Sequence, residues 1–300
     1  MKVVWKVILI IAVILLVLGI ALIAVSLFTG GSLESIRNNV PLMNYEQSFP
    51  EEVPTALRVE AQAGKLTVTP GETLRVEAKN VLDGGFICEL EDGRLTVRED
   101  WGASWADALS RLLTLREHEP EIVVYLPRGT QLTEAEVDIS AGIATIEGLD
   151  TQSLKLDMSA GTLNMEKLLV GEAALEMSAG TMNAVGLCAD SVTMKVSAGN
   201  LCFAGLRARR FGLDMSSGSV EVSGEITDAC GVHLTSGTAS LELLGSAENY
   251  TAEIDSTAGE IIYDGHSMKE AYVGKGMGEM KLSNTAGTIR VDFFQPEPAL

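Results

Sequence analysis

Three acidic side chains recur at one interval, and they are the residues of this chain whose type and spacing could do chemistry. Asp138, Asp157 and Glu176 follow one another at 19 residues (157−138, 176−157), and each stands four residues before a glycine. Stacked carboxylates could bind calcium, which takes about six to eight oxygen ligands. A pair of them could also act as the acid and base of a glycoside hydrolase. The simpler interpretation is that they extend into solvent.

The surrounding sequence favours the solvated interpretation. No RTX-type Gly-Gly-x-Gly-x-Asp loop, which would supply further calcium ligands, accompanies the three carboxylates. The column then continues with mixed charges, in the order Lys195, Asp214, His233 and, in a looser copy, Glu253. We therefore predict no catalytic residue, no cofactor and no metal site, with Asp138, Asp157 and Glu176 as the only candidates for metal ligands.

A repeated Ser-Ala-Gly phrase sets this interval. Self-similarity at a fixed period is typical of a solenoid, in which each repeat stacks on its neighbours. We predict that the glycine of each copy turns the chain, because glycine adopts the positive φ that other residues avoid. These glycines are Gly142, Gly161, Gly180, Gly199, Gly218 and Gly237, followed by the looser Gly259 and Gly287.

The residues on both sides of each glycine alternate with the period of a β-strand. In the copy around Gly161, Leu156 and Met158 precede the glycine, and Leu163 and Met165 follow it. The apolar positions change parity across the glycine, which requires a bend or a bulge. A second glycine six residues later, such as Gly148, indicates another corner. The prediction is an all-β solenoid of 19-residue coils with two short strands in each coil.

The N-terminal residues predict a membrane anchor. Residues 7–28 are apolar apart from Ser26, and about 20 such residues span a bilayer as a helix. Lys2 and Lys6 precede the segment, so the positive-inside rule places residues 1–6 in the cytoplasm and the remainder outside the cell. Cleavage as a signal peptide after a small-residue site near Ser26 is the alternative.

The other boundaries follow from composition and periodicity. Prolines and paired glycines predict a linker over residues 29–55, and N-terminal β coils occupy residues 56–130. Within them, residues 104–117 have apolar residues at helical spacing, and we predict a helix that caps the first coil. Regular coils and a terminal hairpin occupy residues 131–294, and residues 295–300 form a tail.

Composition excludes some partners. The chain carries 22 Lys and Arg against 41 Asp and Glu, a formal net charge of −19. Nucleic acid is therefore not expected as a partner, because binding its phosphates requires clustered basic residues. The four cysteines, Cys88, Cys188, Cys202 and Cys230, show no metal-binding spacing and fall in different columns of the repeat, so we predict free thiols.

Several segments together resemble a known family. These are residues 57–70, the Leu-Pro-Arg-Gly-Thr stretch at 126–130, the Ser-Ala-Gly coils and residues 276–291. They resemble the bacterial β-strand-repeat adhesin family, a domain of unknown function with relatives in Gram-positive cell-envelope stress operons. The resemblance covers roughly residues 50–295 and carries over no catalytic or binding residue.

These features lead to a function hypothesis with two alternatives. We expect a non-enzymatic, membrane-anchored extracellular module that binds an envelope protein or a cell-wall polymer. The first alternative is an accessory or regulatory protein of a cell-envelope stress response. The second is a carbohydrate-active β-helix enzyme, which would require converging carboxylates in a groove.

Overall fold

The computed structural model describes residues 41–101 and 118–295. Of these, residues 43–100 and 119–295 belong to one compact unit. The predicted cytoplasmic residues 1–6, the predicted anchor at 7–28 and the predicted helix at 104–117 lie outside the described residues. So do residues 29–40 of the predicted linker and 296–300 of the predicted tail. In the described part of the chain, no helix has the length and apolarity needed to cross a membrane.

The centre of the molecule is a stack of parallel coils. It is built from four long strands, β8 (Gln131–Glu147), β9 (Asp150–Glu166), β10 (Leu169–Val185) and β11 (Cys188–Leu234). Each residue pairs with the one 19 positions later, so that Gly142 faces Gly161, which faces Gly180. β11 continues the stack on itself, since the Arg207 N–H donates to the Leu187 carbonyl at 2.9 Å. The chain is therefore an all-β solenoid with the predicted repeat length.

Each regular coil has three apolar runs, where the sequence predicted two short strands. In the coil of β9, Leu154, Leu156 and Met158 are buried before Gly161, then Leu163 and Met165 after it, and finally Leu168 and Val170. The alternation shifts three times per coil, and each shift marks a corner. The backbone pairing nevertheless continues through the Gly161 corner, because the neighbouring coils bend at the same place. The two predicted strands are consequently one strand of 17 residues.

The Ser-Ala-Gly corner places backbone against backbone. Gly161 has φ +128°, and a Cβ built on it would lie 2.0 Å from the carbonyl oxygen of Gly142. No real Cβ approaches an oxygen that closely, and this φ is accessible almost only to glycine. The same close packing recurs in the next coil, where a Cβ built on Gly180 would lie 2.2 Å from the carbonyl oxygen of Gly161. The glycine is required both by the turn and by the packing of one coil on the next.

The second corner contains one residue that does not suit it. Lys167 has φ +56°, whereas Gly148 and Gly186 occupy the same position in the adjacent coils with φ +60° and +69°. A left-handed conformation costs a residue with a Cβ about 1–2 kcal/mol. The Lys167 ion pair with Glu166 at 3.1 Å joins two exposed side chains and compensates little.

Lys167→Gly is therefore expected to stabilise the protein. After the greater chain entropy of glycine in the unfolded state is subtracted, the gain should be about 0.5–1 kcal/mol. Thermal unfolding should show a rise in Tm of about 1–4 °C. The same substitution at exposed Lys195, in extended strand β11, serves as the control and should lower Tm. A lower Tm for Lys167→Gly would show that the lysine side chain contributes more than its conformation costs.

The N-terminal end consists of seven strands: β1 (Leu42–Phe49), β2 (Ala56–Ala61), β3 (Lys65–Gly71), β4 (Leu74–Leu82), β5 (Phe86–Glu91), β6 (Arg94–Glu99) and β7 (Glu121–Pro127). β2 and β3 form a coil that pairs with β8 on one side and with β6 and β7 on the other. Antiparallel strands close this end, since β4 pairs with β7 and β5 pairs with β6.

β1 lies within the predicted linker of residues 29–55. It pairs with β4, and Phe49 at its end is buried in the core. The structure thus differs from the predicted linker over residues 42–49. The prolines that suggested a linker flank this strand, and a proline at a strand boundary does not interrupt its pairing.

The C-terminal end contains seven further strands and a short 3-10 helix (Ala247–Asn249). The strands are β12 (Thr238–Leu244), β13 (Tyr250–Ser256), β14 (Glu260–Tyr263), β15 (His266–Met268), β16 (Glu270–Gly274), β17 (Gly278–Asn284) and β18 (Thr288–Phe294). β15 and β16 pair antiparallel with β14 and β13.

The last coil of the chain is not the last coil of the stack. β17 pairs in parallel with β11 on one side and with β13 on the other, and β18 lies likewise between β12 and β14. The coil of β17 and β18 therefore sits between two coils that precede it in the sequence. The predicted terminal hairpin is wrong for this segment. Its Thr-Ala-Gly corner at Gly287 stacks on Gly237, which is 50 residues earlier and could not be identified as a neighbour by a 19-residue period.

The outward column also differs from its prediction at this end. Ile254 pairs with Leu282, which in turn pairs with Val232, so Asp255 lies in line with Ser283 and His233. Glu253, which was assigned to this column, belongs two residues earlier. The correct residue could be found from the sequence, because Asp255 stands four residues before Gly259, as Asp138 does before Gly142.

Candidate functional site

Two of the grooves formed by the described residues lie along the regular coils of the solenoid. The larger, groove A, has a volume of about 790 Å³ and crosses the coils of β8, β9, β10 and β11. The smaller, groove B, has a volume of about 440 Å³ and follows the column of charged residues beside the Ser-Ala-Gly corner. Volumes of about 300–1,000 Å³ are typical of ligand sites. Both grooves are therefore large enough to hold a ligand or a segment of a polymer.

Groove A has an apolar floor. It lies on the run that follows the second corner, where Val170, Ala189 and Ala208 of successive coils are buried beneath it. Gly171 adds no side chain to the lining, and its backbone packs closely on the neighbouring coil, since a Cβ there would lie 2.4 Å from the Gln152 carbonyl oxygen. Leu169 stands at the rim with 52% of its side chain exposed.

Some charged residues of groove A have an ion pair or a side-chain hydrogen bond within the protein, and others have none. Arg209 is fully engaged, since its Nε and Nη2 donate to Asp228 Oδ2 at 3.0 and 2.9 Å. Asp150 accepts from Gln131 Nε2 at 3.1 Å. Within residues 41–101 and 118–295, Asp190 and Arg207 have no ion pair and no side-chain hydrogen bond. Half-buried Glu225, also in the lining, has none either, so groove A presents one guanidinium and two carboxylates without an ion pair among the described residues.

Groove B is polar along its whole length. Its walls are Asp157, Glu176, Lys195, Asp214 and His233, beside hydroxyl groups of the Ser-Ala-Gly corners. Lys195 Nζ donates to Glu176 Oε1 at 3.4 Å, and His233 Nδ1 lies 2.7 Å from Ser283 Oγ. Adjacent coils thus neutralise part of this column, as expected for exposed charges of opposite sign.

The candidate metal ligands lie in a line and not around a point. Asp138 pairs with Asp157 and Asp157 with Glu176 on successive coils, and Glu60 extends the run on the other side of Asp138. Coils stack at about 4.8 Å, so an ion held between two neighbouring carboxylates would be out of reach of the third, whereas calcium takes about six to eight oxygen ligands. In the described part of the chain, no cluster of three or more acidic, histidine or cysteine side chains could hold a metal ion.

Glu60 was missed because it is 78 residues before Asp138 (138−60) and outside the regular repeats. A signal for it existed, since Gly64 follows Glu60 by four residues in the same way that Gly142 follows Asp138. The structure confirms the consequence of that spacing, because a Cβ on Gly142 would lie 2.1 Å from the Gly64 carbonyl oxygen.

The pKa values of Asp138 and neighbouring Glu136 are shifted in opposite directions. Burial raises the pKa of Asp138, and the carboxylates of Glu136, Asp157 and Glu60 raise it further, although nearby Lys155 opposes the increase. The pKa of Glu136 is lowered, chiefly because Lys155 Nζ donates to it at 2.9 Å, with a smaller contribution from Arg58. Lys155 therefore outweighs the effect of burial at Glu136 but not at Asp138.

Asp138→Asn is expected to raise stability at neutral pH. Because its pKa is higher in the folded state than the unfolded value of about 3.9, ionisation of Asp138 disfavours folding. The protonated form of Asp138 favours folding. This contribution to stability is fully present below about pH 3.9 and is lost as the pH rises through the folded-state pKa. Tm at pH 7 should increase by about 1–2 °C, and the increase should vanish at about pH 3. Glu242→Gln, exposed and outside the column, is the control. A lower Tm at pH 7 would contradict this account.

The cysteines are free, and their surroundings separate them by reactivity. Burial raises the pKa of the Cys230 thiol to about 12, which makes its thiolate scarce. Cys188 and Cys202 are exposed. Cys188 lies in groove A, whereas Cys202 lies outside both grooves. The two exposed thiols can therefore report separately on groove A and on another face.

Structural comparison finds solved bacterial proteins of similar extent. A "putative adhesin" from Bacteroides fragilis is 12% identical, covers 83% of this chain and 97% of its own, and gives a TM-score of 0.47. A "putative cell adhesion protein" from Clostridium sporogenes is 12% identical, with coverage of 85% and 100% and a TM-score of 0.28. A "putative lipid binding protein" from Parabacteroides distasonis is 11% identical, with coverage of 83% and 96% and a TM-score of 0.42.

The comparison with family models is more specific. No functionally curated protein matches the chain. The model of the Toastrack family, DUF4097, matches residues 55–293, which include every coil of the described solenoid. The resemblance to an adhesin family of unknown function is thereby confirmed. This match, together with the 19-residue coils and the glycine corners, shows that the chain belongs to the Toastrack DUF4097 family.

Proposed function

We propose that this protein is a membrane-anchored, extracellular binding module of the cell envelope that is not an enzyme. The observation that carries the proposal is groove A, which extends across six successive coils from Gln131 to Thr227. A groove that crosses repeats presents the same backbone spacing of about 4.8 Å at every step. Such a surface suits an extended ligand, either a segment of an envelope protein or a cell-wall polymer.

Other features support this assignment. The apolar segment of residues 7–28 is long enough for an anchor, and its preceding lysines favour a cytoplasmic N-terminus. Two of the solved proteins that match the chain carry names that refer to adhesion. The carboxylates of the acidic column lie in a line on successive coils, and the proposal assigns no catalytic role to them.

The test is capture of envelope components by groove A. Residues 41–300 include β1 and the whole compact unit, so the bait should start at residue 41. Immobilised bait would be exposed to solubilised envelope proteins and to purified wall polymers. Bound protein would be identified by mass spectrometry and bound polymer by sugar analysis.

A matched pair of variants makes this experiment specific. Leu169→Arg fills groove A, whereas Val185→Arg introduces the same side chain on another face, and the two native residues are 52% and 53% exposed. Capture that is lost with Leu169→Arg and retained with Val185→Arg supports the proposal. Equal capture by both variants, or release of sugar fragments from the polymer, would refute it. Selective capture of a membrane protein without polymer would favour a regulatory role in envelope stress.

A further inference from the structure

The unpaired charges in groove A define the ligand more closely. Arg207 and Asp190 both line the groove, both are exposed, and the described residues provide neither with an ion pair. Arg209 is engaged by Asp228, and Asp150 accepts a hydrogen bond from Gln131. A ligand in the groove therefore meets one available guanidinium, that of Arg207, and two available carboxylates, exposed Asp190 and half-buried Glu225.

The repeat fixes the separation of these two groups. Asp190 is 19 residues before Arg209, so the two lie side by side on adjacent coils, and Arg207 is two residues before Arg209. A coil spacing of about 4.8 Å and a rise of about 3.3 Å per residue place the Cα atoms of Asp190 and Arg207 roughly 8 Å apart. Side chains from these positions can contact the two ends of one small polar group.

The surface between them is apolar and small. Cys188 and Ala189 lie beside Asp190, and Gly171 adds no side chain to the groove. Low local polarity strengthens charge-assisted hydrogen bonds formed there. On the far side of Arg207, half-buried Glu225 closes the groove. The open path therefore runs from Arg207 towards Asp190.

The charges also exclude simpler ligands. A ligand with only negative groups would face Asp190, Glu225 and a chain of net charge −19. A ligand with only positive groups would face Arg207. A ligand that carries both signs satisfies both side chains without leaving either opposed to a like charge.

From this arrangement we infer that groove A binds a zwitterionic group, with an ammonium at Asp190 and a carboxylate or phosphate at Arg207. This inference rests on the proposed function, since it takes groove A as the binding site, and it specifies the chemistry recognised there. A peptide with free termini and an aminoalkyl phosphate both present this chemistry.

The experiment removes each charge from ligand and protein in turn. The full-length chain in mild detergent would be titrated with tri-alanine, N-acetyl-tri-alanine, tri-alanine amide and O-phosphorylethanolamine by calorimetry. Loss of a charge-assisted hydrogen bond should weaken binding about tenfold. Asp190→Asn should bind tri-alanine and its N-acetyl form equally. Arg207→Gln should bind tri-alanine and its amide equally.

Controls and a second readout locate the binding. Glu242→Gln and Arg290→Gln remove exposed charges outside groove A and should keep the wild-type ligand preference. Bound ligand should slow alkylation of Cys188 by N-ethylmaleimide and leave alkylation of Cys202 unchanged.

The outcomes discriminate between ligand sources and between hypotheses. Binding of tri-alanine alone supports a peptide, and binding of O-phosphorylethanolamine alone supports a phosphate-bearing headgroup or polymer. Failure of both to bind, or binding that neither variant alters, overturns the inference. If envelope capture still depends on Leu169 in that case, the proposed function stands and only the ligand chemistry is wrong.

Discussion

Gly161→Val should abolish stable folding of the solenoid. The valine Cβ would lie 2.0 Å from the carbonyl oxygen of Gly142, so the two coils would have to separate. The φ of +128° adds a conformational cost that a β-branched residue cannot avoid. Together these effects should cost about 4 kcal/mol or more, an exceptional value for one substitution. Thermal and urea unfolding followed by far-UV circular dichroism would measure the loss.

A second pair of variants separates the close contact from the backbone conformation. Gly161→Ala introduces only a Cβ and should still cost several kcal/mol, about 3 or more. Gly205→Ala is the matched control, because Gly205 also has positive φ, +67°, but a Cβ there would meet no atom within 4 Å. It should cost about 1–2 kcal/mol. Equal losses for the two alanine variants would show that coil-to-coil contact does not determine the effect.

Truncation after Gly276 should unfold the C-terminal third of the solenoid. It removes β17 and β18, which lie between the coil of β11 and β12 and the coil of β13 and β14. Each buried apolar side chain contributes about 1.5–3 kcal/mol, so the four that are lost amount to roughly 6–12 kcal/mol. That is comparable with the whole stability of a typical domain. The four are Met280, Leu282, Ile289 and Val291.

Hydrogen–deuterium exchange would locate the effect of this truncation. Strands β12 to β16 should lose protection, whereas β8 to β10 should retain much of theirs, because each coil contacts only its neighbours. Truncation after Phe294 removes only residues 295–300 and should leave the exchange pattern unchanged. If β13 and β14 remained protected in the shorter chain, they would have to stack directly on β11 and β12, and the observed strand order would be wrong.

The regular part of the fold could be predicted because its signal is local. Every coil around Gly161 and Gly180 repeats the same apolar columns, and 19-residue spacing alone identifies which residues are neighbours. The ends could not be predicted in this way. Glu60 contacts the acidic run across 78 residues, and Gly287 stacks on Gly237 across 50, so neither pairing has a constant period. β1 was missed because its flanking prolines dominated the local pattern.

Groove A could not be predicted for a different reason. Its walls occupy two columns whose residue types change at every coil. One column reads Asp150, Leu169, Cys188 and Arg207, and the other reads Gln152, Gly171, Asp190 and Arg209. A repeat search detects positions that stay alike, and structural positions stay alike because they serve the same packing in each coil. Positions that vary along one face carry no periodic signal, and only their stacking reveals that they share a groove.

The order of the coils also constrains how the protein is made. β12 has two parallel partners, β11 and β18. β11 is synthesised before β12, whereas β18 follows 50 residues later, after β13 to β16. The edge of β12 towards the C-terminal end must therefore stay unpaired while β13 to β16 are synthesised, and those strands cannot dock in their final place first. The C-terminal end of the solenoid can therefore close only after β18 has been synthesised.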